Sequence, residues 1–139
     1  MQDLSTNILI GLGTGLASGF VTGFYSGLII SRRNRFDSLR ADLLRHINSI
    51  EYMQEAGRVA ISPGTSSQLL YVASDFAHFG HRQAAEVTLK GNKATVSALS
   101  DSERGVLDVG ALEERLKDVR DMFRSVRPSS KVYLPWGQV

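Results

Sequence analysis

The chain has 139 residues, no cysteine and a net charge of +2. That length gives one domain plus at most an accessory segment. The missing thiols exclude disulfides, thiolate metal sites and cysteine nucleophiles, and a surplus of two charges is not the basic footprint of a nucleic-acid-binding domain.

The charges are unevenly placed. None lies between Asp3 and Arg32, so the first 31 residues carry one charge and the remaining 108 carry 29. Leu4 to Ser31 is an uncharged run of 28 residues. As a helix it would measure about 42 Å, against about 30 Å of bilayer hydrocarbon. It predicts one transmembrane helix over residues 8–30, behind a short exported N-terminus of residues 1–7. A signal peptide would need basic residues before the apolar run, and Met1 to Asn7 has none. They follow it instead, as Arg32, Arg33 and Arg35, then Arg40 and Arg45. Positive charge marks the cytoplasmic side. The expectation is therefore a single pass in the inner (plasma) membrane of a bacterium or its phage, with the C-terminal region cytoplasmic. Arg32, Arg33 and Arg35 would be anchors at the membrane edge. A nucleotide-binding turn is a poor alternative, because Gly11-Leu-Gly-Thr-Gly15 lacks both G-x-G-x-x-G spacing and a following Gly-Lys-Ser/Thr.

Inside this run the sequence repeats every four residues. Gly11, Gly15, Gly19, Gly23 and Gly27 form one column, and Thr14, Ser18, Thr22 and Ser26 form another. Residues four apart stack on one helix face. A glycine costs about 1 kcal/mol relative to alanine in a water-exposed helix. In lipid the same stripe lets a second backbone approach closely. The segment resembles glycine-zipper transmembrane helices, which implies self-association through the glycine face. The hydroxyl column has three readings. It can bond back to its own helix, bond between helices, or line a hydrated pore. The span holds no acid or base, which argues against a proton relay within it.

Residues 31–58 read as a juxtamembrane amphipathic helix, with Phe36, Leu39, Leu43, Ile47, Ile50 and Met53 on its apolar face. A helical soluble domain is expected over residues 65–127. Thr65 and Gln68, and again Ser100 and Glu103, have capping-box spacing. Leu69, Leu70, Ala73, Phe76, Ala77, Gly80, Ala84 and Val87 form a second apolar face. Lys90-Gly91-Asn92-Lys93 reads as a turn, flanked either by a short β-hairpin near residues 86–99 or by the end of one helix and the start of another. Asp108 suits the N-cap of a last helix with core stripe Val109, Leu112, Leu116, Val119, Met122/Phe123 and Val126, ended by Pro128. Residues 128–139 read as an extended tail in which Trp136 could anchor a partner.

Little chemistry is visible. Asp75, His78 and His81 lie three apart and form a weak candidate metal set, without the H-E-x-x-H pattern. No nucleophile elbow occurs. The fold class expected is mainly α: a glycine-zipper transmembrane helix followed by a small cytoplasmic helical domain. The function expected is that of a membrane anchor and assembly module with no cofactor and no enzymatic activity. Its partners would be a second copy of the chain, lipid, and another protein bound by the soluble domain. The alternative is a membrane-permeabilising protein, holin-like or toxin-type, with Thr14, Ser18, Thr22 and Ser26 lining the pore. A metal-dependent enzyme built on Asp75, His78 and His81 is a third class.

Overall fold

The computed structural model describes residues 2–50, 52–55, 58–61 and 65–134. They form α1 (Gln2–Asn48), β1 (Tyr52–Glu55), β2 (Arg58–Ile61), α2 (Thr65–His78), α3 (Arg82–Glu103), α4 (Val109–Arg124) and a 3₁₀ turn (Ser130–Tyr133). The protein is mainly helical.

One helix dominates. α1 has 47 residues, which makes it about 70 Å long. It carries no proline and no glycine after Gly27, so nothing interrupts the backbone ladder between its apolar and amphipathic halves. It is long and apolar enough to cross a membrane.

The second half of α1 is a core element. Phe36, Leu43 and Ile47 are buried on one face, and Ile50 is buried just beyond the helix end. They meet Leu69, Val72 and Phe76 of α2 and Leu112, Leu116, Val119 and Phe123 of α4. α1 packs on α2 and α4, and α3 packs on the same two helices, which closes a ring of four. The apolar face expected for residues 36–50 and the core stripe of α4 are both found.

Two glycines set the corners. Gly80 has φ 74°, the Gly80 N–H donates to the Ala77 carbonyl, and the His81 N–H donates to the Phe76 carbonyl. That is the double bond of a Schellman helix stop, which favours glycine at the left-handed position. Gly105, also at φ 74°, ends α3 in the same way, with its N–H on Ser102 and the Val106 N–H on Asp101. Asp108 then caps α4, its carboxylate accepting from the Ala111 N–H at 2.9 Å.

Four expectations are corrected. The juxtamembrane helix does not reach residue 58: it stops at Asn48, and residues 52–55 pair antiparallel with 58–61 in the register Tyr52↔Ile61 to Glu55↔Arg58. Met53 continued the helical spacing only by coincidence. Near residues 86–99 there is no hairpin and no turn, because α3 runs unbroken through both. Ser100 lies inside α3 and starts no helix. The tail is not extended throughout, since Ser130–Tyr133 form a 3₁₀ turn. Trp136 lies outside the described residues.

The glycine in the middle of α3 has a steric cause. A Cβ placed on Gly91 would stand 2.2 Å from Cε1 of Phe123. Gly91 is therefore the socket for an aromatic ring of α4, not a bend. Ala84, Thr88, Gly91, Thr95, Ala98 and Ser102 are all buried on this face. Their spacing of four and three is a helical seam of small residues. The two threonine hydroxyls donate to Ala84 and Gly91 carbonyls at 2.8 and 2.9 Å, so neither leaves a buried donor unmet.

Candidate functional site: an exposed apolar rod and its collar

Residues 5–24 are all exposed, which holds for no other stretch of this length among the described residues. That stretch of twenty residues is about 30 Å long. Leu9, Leu16 and Phe20 are 73%, 68% and 77% exposed. In water, burial of one such side chain is worth roughly 1.5–3 kcal/mol. An isolated apolar rod of this length is therefore a surface that requires another apolar phase or a partner.

The glycine column runs along this rod. A Cβ on Gly11, Gly15, Gly19, Gly23 or Gly27 would meet nothing within 4 Å. Nothing within the described chain requires glycine at these five positions, whereas Phe123 requires it at Gly91. Near the bundle, the column opens a groove of about 470 Å³ bounded by Gly23, Phe24, Gly27, Leu28, Ser31 and Arg32. The hydroxyl column bonds to its own helix. Thr14 donates to the Ile10 carbonyl at 2.8 Å, Ser18 to Gly15 at 3.1 Å and Thr22 to Ser18 at 2.7 Å. Three protons that a hydrated pore would use are thus satisfied locally. Ser26 makes no such bond among the described residues.

The unbroken exposure is first interrupted at Tyr25, where the C-terminal segment meets α1. The Tyr25 hydroxyl donates to the Tyr133 carbonyl at 2.5 Å, and Arg32 Nη1 donates to the Leu134 carbonyl at 2.9 Å. Leu28 and Ile29 are half-buried at the same level. The tail is therefore a strap across the base of the rod. Of the arginines expected to anchor the membrane edge, Arg32 joins α1 to the strap and Arg35 joins it to Phe79 after α2. Arg35 stacks its guanidinium 3.8 Å from the Phe79 ring centre. Arg33 pairs at 3.9 Å with Asp37, both exposed, an ion pair of little weight. Arg40 donates to the Arg124 carbonyl at the end of α4, where a cation also complements the helix dipole. No residue spacing announced the strap, because its acceptors are backbone carbonyls.

The candidate metal set is taken apart by the Gly80 turn. Asp75 and His78 are exposed on α2. His81 lies beyond the helix stop, is 3% exposed, and packs its ring 4.8 Å from that of Phe36 and 6.3 Å from that of Phe76. Its Nδ1 accepts from the Ser129 N–H at 3.2 Å. Burial lowers its pKa below the ordinary 6.5. Among the described residues no group of three potential ligands converges. Gly80 was the signal for this separation, since a glycine just after a periodic run marks a helix end.

Comparison with protein families, with curated proteins and with solved structures found no match to this chain. The functional reading therefore rests on the geometry.

Proposed function

We propose that this protein is a single-pass membrane anchor that self-associates through the glycine face of α1 and holds a helical assembly module at the cytoplasmic surface. One observation carries the reading: the twenty-residue stretch exposed all round matches the hydrocarbon thickness of about 30 Å. Residues 5–24 then lie in the hydrocarbon, and residues 25–32 with the strap lie in the head-group layer. This shifts the expected span of residues 8–30 towards the N-terminus.

The open glycine column supports the self-association. Between lipid-embedded helices, close backbone packing replaces the hydrophobic drive, and small residues four apart permit it. Arg32, Arg33 and Arg35, and Lys131 of the strap, lie on the bundle side of the rod, which supports a cytoplasmic bundle by the positive-inside rule. The orientation and the inner-membrane location belong to this proposal. So does the role as an assembly module, for which the described soluble domain offers a packed core and a capped helix.

Crosslinking in native membranes tests it. The wild type should give one discrete oligomer, and Gly19→Leu and Gly23→Leu should each abolish it while the soluble bundle keeps its melting temperature. An unchanged oligomer in both variants would overturn the glycine contact. Extraction of the wild type by alkaline carbonate would overturn the span.

A further inference from the structure

A second feature lies away from the rod. A cavity of about 660 Å³ opens between the turn from α2 to α3 and the C-terminal strap. Arg82, Arg127 and Lys131 line it, together with His81, Ser129 and Ser130, and no carboxylate does. None of the three cations takes part in an ion pair among the described residues. Three positive charges around one concavity repel one another unless an anion joins them.

The backbone adds donors at the same place. α3 begins at Arg82, and His81 at its N-cap supplies no side-chain hydrogen bond. The first N–H groups of a helix have no partner within it. Those of Arg82, Gln83 and Ala84 belong to residues that line the cavity, and they form the positive end of a helix of 22 residues.

His81 is the third, independent observation. The residue is buried, at 3% exposure. Because Nδ1 accepts from Ser129, the neutral ring keeps its proton on Nε2. That N–H has no acceptor among the described residues. It is open to solvent and not a buried unpaired donor, and the cavity that His81 lines is where an acceptor would meet it.

We propose that this cavity binds a phosphate ester, held by Arg82, Arg127 and Lys131, by the opening N–H groups of α3 and by the His81 Nε2–H. An anion with several acceptor oxygens matches this mixture of cations and fixed donors better than a carboxylate does. The volume exceeds that of inorganic phosphate and is in the range of small-molecule pockets, about 300–1,000 Å³. The ligand class is therefore an organic phosphate. Its source is either a soluble ester or a phosphorylated lipid head group. Phe36, the neighbour of His81, lies twelve residues beyond Phe24, about 18 Å along the helix, so both sources are within reach. The site itself does not depend on the membrane reading.

The test uses the full chain in a neutral detergent, titrated separately with inorganic phosphate, glycerol 3-phosphate and dihexanoyl phosphatidic acid. Binding is read by calorimetry and by the ¹⁵N shift of His81 Nε2. At least one ester should bind saturably, more tightly than inorganic phosphate, and move that resonance. Arg127→Gln and Arg82→Gln should each weaken it roughly tenfold, and Lys117→Gln, on the exposed face of α4, should leave it unchanged. Tighter binding of glycerol 3-phosphate assigns a soluble ester, and tighter binding of the phosphatidic acid assigns a lipid head group. Absence of saturable binding by all three probes, or equal weakening by Lys117→Gln, overturns the proposal. Where a variant loses its melting transition, the unmoved His81 resonance in the wild type is the deciding result.

Discussion

The rod of α1 and the interior of α3 use the same residue for opposite reasons that are one reason at root. Glycine inside a helix removes a side chain so that something else can come close. In α3 the visitor is visible: the Phe123 ring occupies the space over Gly91. Along Gly11 to Gly27 the space is empty. A helix that gives up about 1 kcal/mol at each such position has its close approach in one case inside the chain and, in our proposal, in a second copy of it.

This contrast can be broken most forcefully from the α4 side. Phe123→Ala should destabilise the bundle by about 3–5 kcal/mol through the cavity it leaves, measured by denaturant unfolding in detergent. Gly91→Ala comes next. Its methyl would collide with a ring that is wholly buried, at a cost of about 1–3 kcal/mol. A Gly91→Ala protein as stable as wild type would show that the ring can step aside, and the socket would lose its meaning. At the other extreme, Gly19→Leu should leave bundle stability unchanged within about 0.5 kcal/mol, although it should remove the crosslinked oligomer. Equal stability losses at Gly19 and Gly91 would erase the distinction between the two regions.

A pH series sharpens the same comparison, because no Asp, Glu, His, Lys or Arg lies between Asp3 and Arg32. His81 is held below its ordinary pKa of 6.5 by burial. The unfolded chain therefore takes up the proton first as pH falls. The stability owed to the neutral ring is complete above about pH 6.5 and declines as pH falls towards the lowered folded value. Thermal melts at pH 7.5 and pH 5.5 should show this loss in the wild type. His81→Gln, which keeps a neutral acceptor for the Ser129 N–H, should show a smaller one. Identical slopes would place the acid sensitivity elsewhere.

The main elements were legible in the chain because their signals are local. An uncharged run, a period of four, an aspartate before an apolar stripe and a face of Phe36, Leu43 and Ile47 each depend on neighbours a few residues apart. They led to the long apolar helix, the α4 cap and most of the core. Three features needed the folded chain. Lys90-Gly91-Asn92-Lys93 carries the composition of a turn, and only the Phe123 ring, 32 residues further on, explains why a glycine stands inside the helix. The small seam of α3 obeys helical spacing, yet alanine, threonine and serine give weak hydrophobic contrast, so the period is hard to see. The strap across Tyr25 and Arg32 rests on backbone carbonyls brought in from some hundred positions away, and the basic cavity around His81 on a contact between residues 48 apart. Hydropathy and spacing record what a residue does to its own helix. Contacts at that separation arise from how helices close upon each other, and no local pattern encodes them.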